Sequence, residues 1–133
     1  MWLFTPIGFY SIVRKTGTNY LTVRARVASD LDALRDAVLP ELSETIAGAG
    51  TDYPLRATCS HEAFAKGQAK LVNEIDYSNF KSRVSEVQGG GRSSAYAKVW
   101  SVMKGLEETA PAAPPRSRGK SASYGGVLVD AEG

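Results

Sequence analysis

The sequence predicts an α+β fold in which helices pack on one face of a small antiparallel sheet. Segments 21–27 and 55–59 alternate apolar with polar residues, which is the period of a strand half buried in a sheet. Between and after these segments, apolar residues recur at helical spacing. We therefore expect the element order β-β-α-β-α-α, in which a β-hairpin and a third strand form the sheet.

The hairpin occupies the beginning of the chain. Residues 2–14 are rich in aromatic and β-branched side chains and form one extended region, which Pro6 and Gly8 bend. Residues 15–19 are typical of a turn, and the returning strand follows at 20–27. The first two strands are thus expected to be neighbours in the sheet.

Helices surround the third strand, which is predicted at 53–59. Ser29 is a suitable cap for the first helix, and Pro40 either breaks that helix or starts a second short one. Ser60 is expected to cap the second helix. Asp76 or Ser78 would cap a shorter third one.

The last predicted helix spans residues 92–106. Residues 89–91 are three consecutive glycines, which predict a flexible break before it. Tyr96 and Trp100 lie on its apolar face, so they belong either to the core or to a dimer surface.

Composition limits the possible classes of protein. The 133 residues carry a net charge of only +2, which argues against a protein that binds duplex nucleic acid mainly through its phosphates. Residues 1–108 are predicted to form a single domain, and residues 109–133 a disordered tail rich in Pro, Ser and Gly. No apolar segment is long enough to cross a membrane, so no membrane partner is expected.

The cysteine and histidine content bears on location and cofactors. Cys59 is the only cysteine, so no intrachain disulfide is possible, and a cytoplasmic location is favoured. One histidine and no cysteine pair leave no recognisable metal-ligand spacing. The sequence therefore predicts no metal site and no cofactor.

Three arginines supply the main candidate site. Arg24 and Arg26 are two residues apart on one strand, so their side chains leave the same face ~7 Å apart. If Arg56 lies on a neighbouring strand, three guanidinium groups converge on one face, and Lys81 is a possible addition. Guanidinium groups match phosphate oxygens well. The alternative is that the arginines pair with carboxylates of the covering helices or lie in water.

This arginine pattern favours a non-catalytic domain that binds a phosphorylated small molecule or a nucleic-acid end. A second hypothesis is a protein-interaction module or homodimer whose apolar surface includes Tyr96 and Trp100. A third is a thiol enzyme with Cys59 as nucleophile and His61 as base. No third group that would orient such a pair is evident, and Cys59 follows the apolar alternation of a core residue.

Four motifs in the same order also resemble a family of small bacterial proteins to which no activity is assigned. The first is Trp2-Leu3-Phe4-Thr5 with Gly8-Phe9-Tyr10-Ser11, and the second is Val23-Arg24-Ala25-Arg26. The others are Asp76-Tyr77-Ser78-Asn79-Phe80-Lys81 and Tyr96-Ala97-Lys98-Val99-Trp100. The resemblance covers roughly residues 1–106. It implies a cytoplasmic bacterial or phage protein and carries over no catalytic residues.

Overall fold

The structure is a computed structural model, and it describes residues 1–48 and 52–109. The predicted tail beyond residue 109 lies outside these residues. The chain divides into two compact units, Met1–Ser101 and Val102–Gly133. The sheet, the core and the candidate site all belong to the first unit.

The predicted α+β class is confirmed, with a sheet that is antiparallel throughout. Its strands are neighbours in chain order and comprise β1 (Trp2–Thr5), β2 (Gly8–Val13), β3 (Leu21–Ala25) and β4 (Leu55–Cys59). The extended region predicted at the beginning of the chain is in fact two paired strands. The sheet accordingly has four strands instead of the three expected.

A side chain builds the tight turn between β1 and β2. The Thr5 hydroxyl oxygen accepts hydrogen bonds from the backbone N–H groups of Ile7 and Gly8, at 3.1 and 3.0 Å. The same hydroxyl donates to the Gly8 carbonyl oxygen at 2.9 Å. Threonine thus satisfies the backbone of a turn that has no Asn-Gly signal.

Five helices complete the described part of the chain. Their bounds are α1 (Ala28–Ala37), α2 (His61–Asn73), α3 (Phe80–Gln88), α4 (Gly90–Lys104) and α5 (Leu106–Thr109). Helix α1 packs across β2, β3 and β4. No helix among residues 1–48 and 52–109 is both long and apolar enough to cross a membrane.

The observed helix caps agree only partly with those predicted from the sequence. Ser60 caps α2 as predicted, because its hydroxyl accepts a hydrogen bond from the Ala63 N–H. The predicted Ser29 cap of α1 was wrong: the N-cap is Val27, two residues earlier, and no side chain caps the helix. Asn79, and neither Asp76 nor Ser78, caps α3.

The predicted break at Gly89, Gly90 and Gly91 is a single non-helical residue between α3 and α4. Gly89 ends α3 with a φ of 91°, a backbone conformation that favours glycine. The next two glycines already belong to α4, which therefore starts before the predicted residue 92. The expected flexible segment is a sharp joint between two helices.

The core lies between one face of the sheet and the helices. Alternation places one set of side chains from β2, β3 and β4 inward, where they meet α1, α2 and the segment that follows α1. The buried cluster comprises Tyr10, Ile12, Val23, Ala25, Leu31, Leu34, Val38, Leu39, Leu42, Ala57, Cys59 and Phe64. The other set of side chains emerges on the opposite face.

Candidate functional site

The face of the sheet away from this core carries the predicted arginines. The strand registers pair Trp2 with Ser11, Ser11 with Arg24, and Arg24 with Arg56, so one row crosses all four strands. The strand predicted at 20–27 ends at Ala25, so Arg26 lies just beyond β3, and its guanidinium group joins that of Arg24 against the Tyr53 ring. We call Arg24, Arg26 and Arg56 the arginine face.

Arg24 is half-buried at the centre of this row. One terminal nitrogen donates a hydrogen bond to the Ser11 hydroxyl oxygen at 2.6 Å. Its Cζ lies 4.8 Å from the centre of the Tyr53 ring. Its Nε is buried and finds no hydrogen-bond partner among the described residues. Arg24 therefore has an N–H donor that its protein surroundings do not satisfy.

Arg26 is more exposed and shares the same aromatic neighbour. Its Cζ lies 4.5 Å from the centre of the Tyr53 ring, and it donates to the Asp52 carbonyl oxygen at 2.6 Å. Tyr53 itself is only 6% exposed. Both guanidinium groups are thus held against one buried ring, which limits their freedom before any ligand arrives.

The hydrogen-bond partners of these two arginines carry no formal charge. In the described part of the chain, neither Arg24 nor Arg26 has a carboxylate oxygen within 4.0 Å, whereas Arg35, Arg83 and Arg92 each pair with one. The expected pairing with carboxylates of covering helices is therefore not observed for Arg24 and Arg26. The strand register places Arg56 directly opposite Arg24, so two positive side chains are neighbours on this face.

Lys81, the fourth predicted site residue, lies elsewhere in the fold. It is exposed at the second position of α3, where its carbonyl oxygen accepts a hydrogen bond from the Ser93 hydroxyl at 3.4 Å. Among the residues described, no contact joins Lys81 to the arginine face. The structure brings the three arginines onto one face but does not bring Lys81 to them.

An aromatic strip continues the arginine face towards the β1 edge. The Phe9 ring lies 6.4 Å from Tyr53 and 5.8 Å from Trp2, between ring centres, and stacks on Phe4 at 4.5 Å. Trp2 is 65% exposed. Trp2, Phe9 and Tyr53 therefore link an exposed indole to the two guanidinium groups. Sequence reasoning missed this strip, although the alternation of β1 and β2 already placed Trp2, Phe4, Phe9 and Ser11 in one phase.

A second polar cluster holds α4 against α1 and β2. Arg92 donates two hydrogen bonds to the Asp30 carboxylate, at 2.8 and 2.9 Å, and the side chain of Asp30 is only 5% exposed. The Phe9 N–H donates to the same carboxylate at 3.0 Å. The hydroxyl of Tyr10 donates to the Asp30 carbonyl oxygen at 2.7 Å. Every strong polar group at this junction is satisfied within the protein, which indicates a structural role.

The titration of this cluster agrees with that role. The hydrogen bond to Asp30 raises the pKa of Arg92 above its ordinary value. Burial, followed by the Asp30 charge, raises the pKa of Tyr10 strongly, and burial also raises that of Tyr96. Arginine thus stays charged and both tyrosines stay neutral at physiological pH. None of these groups is poised for proton transfer near neutrality.

Cys59 and His61 have different surroundings. Cys59 belongs to the core, and burial raises the pKa of its thiol. His61 is exposed at the first residue of α2. A buried thiol of raised pKa is a poor nucleophile.

Replacing Cys59 by alanine tests this assignment. We expect a loss of about 1 kcal/mol in the free energy of unfolding, because a small buried side chain leaves a small cavity. In the native protein, a thiol reagent should modify Cys59 no faster than the protein unfolds enough to expose this side chain. Rapid labelling of the native state would contradict a purely structural Cys59.

Tyr96 and Trp100, the residues of the homodimer hypothesis, have different surroundings. Tyr96 is 9% exposed, and its ring packs against Phe4 and Phe80 at 5.3 and 5.8 Å. Trp100 is 67% exposed. Tyr96 is therefore a core residue and does not line an exposed dimer surface. Self-association through Trp100 stays a prediction.

Comparison with known proteins adds no assignment. No family model, curated protein or solved structure matches this chain. The resemblance carried by the four sequence motifs therefore stays an expectation. Within residues 1–48 and 52–109, no group of three His, Cys, Asp or Glu side chains is placed to hold a metal ion.

Proposed function

We propose that the arginine face binds phosphate groups of a phosphorylated small molecule or of a nucleic-acid end, without catalysing a reaction. One observation carries the proposal: Arg24 and Arg26 are held against Tyr53 with only uncharged hydrogen-bond partners. An arginine whose charge is structurally required is usually paired with a carboxylate when it is partly buried. These two keep their charge available for an anion.

Geometry supports the same ligand class. The Cζ atoms of Arg24 and Arg26 lie 4.8 and 4.5 Å from the centre of the same Tyr53 ring, so the two guanidinium groups are close enough to contact two oxygens of one phosphate or two successive phosphates. The Arg56 side chain extends the positive face onto β4. The low net charge of the chain fits a local contact with few phosphates better than a long duplex.

Arg24→Ala and Arg26→Ala test the proposal on the full chain. Titration with tripolyphosphate, a nucleoside triphosphate, and 5′-phosphorylated or 5′-hydroxyl oligonucleotides shows which source of phosphate is bound. Each substitution should weaken binding roughly tenfold to hundredfold, because a charge-assisted hydrogen bond contributes ~1.5–3 kcal/mol. Binding of the wild type should also fall as salt rises.

Lys66→Ala is the matched control. Lys66 is exposed on α2, which packs on the core side of the sheet. Lys66→Ala therefore also removes one positive charge, but at a position away from the arginine face. It should leave binding unchanged. Denaturant melts complete the test: Arg26→Ala should change the free energy of unfolding by only about 0.5 kcal/mol. Clear destabilisation with unchanged binding would show that the arginines are structural.

A further inference from the structure

The aromatic strip narrows the ligand class of the arginine face. Trp2 stands in the same cross-strand row as Ser11, Arg24 and Arg56, on the face away from the core. A large side chain that is 65% exposed contributes little to the core of its own protein. Trp2 shares this face with Arg24 and Arg26, whose hydrogen-bond partners are uncharged, and the combination suits a ligand with both an apolar face and negative charge.

The indole is available for stacking. Its one ring contact in the described part of the chain is edge-to-face, with Phe9 at 5.8 Å and 89° between the planes. Phe9 in turn is fixed by stacking on Phe4. Trp2 is thus anchored at one side by a rigid aromatic neighbour while most of its surface remains accessible.

The spacing suits a strand of nucleic acid. Trp2 and Arg24 lie two strands apart, about 10 Å across the sheet. That distance corresponds to about three stacked nucleotides. A base on Trp2 therefore leaves the following phosphates over Arg24 and Arg26. In a duplex each base face is covered by stacking on the neighbouring base pairs, so a single strand is the form whose base faces suit this contact.

We propose that the row Trp2–Ser11–Arg24–Arg56, together with Arg26, binds single-stranded nucleic acid, with a base stacked on Trp2 and phosphates farther along the same strand on the arginines. The inference rests on the proposed phosphate-binding function and names the ligand of the same face. Stacking platforms of this kind tolerate any base, because every base has a π face. Binding is therefore expected to depend on strandedness far more than on sequence.

Two probes separate stacking from phosphate binding. One is an oligonucleotide of eight thymidines, and the other is an abasic octamer with the same sugar-phosphate backbone. Wild-type protein should bind the thymidine octamer more tightly than the abasic one. Trp2→Ala should weaken binding of the thymidine octamer roughly tenfold and leave the abasic octamer unchanged. Trp2→Phe should retain an intermediate affinity.

Indole fluorescence gives a direct readout of the contact. Trp2 is the remaining tryptophan in a Trp100→Phe protein, so quenching on addition of the thymidine octamer reports on Trp2 alone. The same octamer in a duplex should quench less. Denaturant melts of each variant show that the fold is retained.

The outcomes distinguish the inference from the proposed function. Equal affinity for the two octamers, with no effect of Trp2→Ala, would overturn stacking and leave phosphate binding in place. Failure of both octamers and of tripolyphosphate to bind would overturn both proposals. Loss of thymidine-octamer binding in Trp2→Ala, with abasic binding retained, is the expected result.

Discussion

Arg92→Ala should lower the free energy of unfolding by about 3–5 kcal/mol, the largest effect we expect from a single substitution in this chain. The reason is that the substitution leaves the buried Asp30 carboxylate without its charged partner. Asp30 has a side chain 5% exposed, and Arg92 supplies two of the hydrogen bonds to its carboxylate. Without the guanidinium group, a buried carboxylate keeps only the Phe9 N–H. Urea or guanidinium denaturation measures the loss.

Arg83→Ala is the matched control. Arg83 also pairs with carboxylates, those of Asp76 and Glu86, but both partners are more than 70% exposed. Surface ion pairs contribute ~0–1 kcal/mol, so this variant should melt close to the wild type. A double variant, Asp30→Ala with Arg92→Ala, should be more stable than the sum of the single losses predicts. Equal effects of Arg92→Ala and Arg83→Ala would refute the buried-pair argument.

Period-two alternation was sufficient to place Arg24 and Arg56 of the arginine face. The side chains of Arg24 and Arg56 share a strand phase opposite to the buried set. This deduction needs only the geometry of a strand. Arg26, which follows the end of β3, contacts the same Tyr53 ring as Arg24. Proximity of Arg56 to Arg24 needed one further assumption, that β3 and β4 are neighbours.

Strand alternation could not predict the contacts that residues outside the strands make with the arginine face. Tyr53 precedes β4 and reaches Arg24 and Arg26 through the return of the chain after α1, a path that no periodic pattern specifies. Lys81 was added to the site from its residue type and its place near a helix start. It lies at the second position of α3, and none of its described contacts is with the arginine face.

The sequence did not indicate the Asp30–Arg92 pair, because a role at the helix N-terminus already accounts for an aspartate at this position. An aspartate in the first turn of a helix favours the positive end of the helix dipole, which already gives Asp30 a local reason to stand at the start of α1. Its partner lies 62 residues away, after the three glycines. Nothing local distinguishes an inward from an outward aspartate at this position. The β1–β2 hairpin was missed for a related reason, because the Thr5 side chain replaces the usual turn residues.

Gly8→Ala tests how tightly the same cluster is packed. A Cβ atom at Gly8 would lie 2.5 Å from the Tyr10 hydroxyl oxygen and 2.9 Å from the Asp30 carboxyl carbon. Neither neighbour can move freely, because the Tyr10 hydroxyl is bonded to the Asp30 backbone and Arg92 holds the Asp30 carboxylate. We expect a loss of about 3 kcal/mol in the free energy of unfolding, at the upper end of the usual range for overpacking.

Gly91→Ala provides the contrasting control for Gly8→Ala. Gly91 lies in α4 with no atom within 4 Å of the position of an added Cβ, so alanine should stabilise the protein by about 0.5–1 kcal/mol. The opposite signs of the two glycine substitutions are measurable in one set of denaturant melts. In an Arg92→Ala background, Asp30 is no longer clamped and Gly8→Ala should cost less than in the wild type. If the cost were the same in both backgrounds, the clash at Gly8 would be independent of the ion pair, and the cluster would not act as one packed unit.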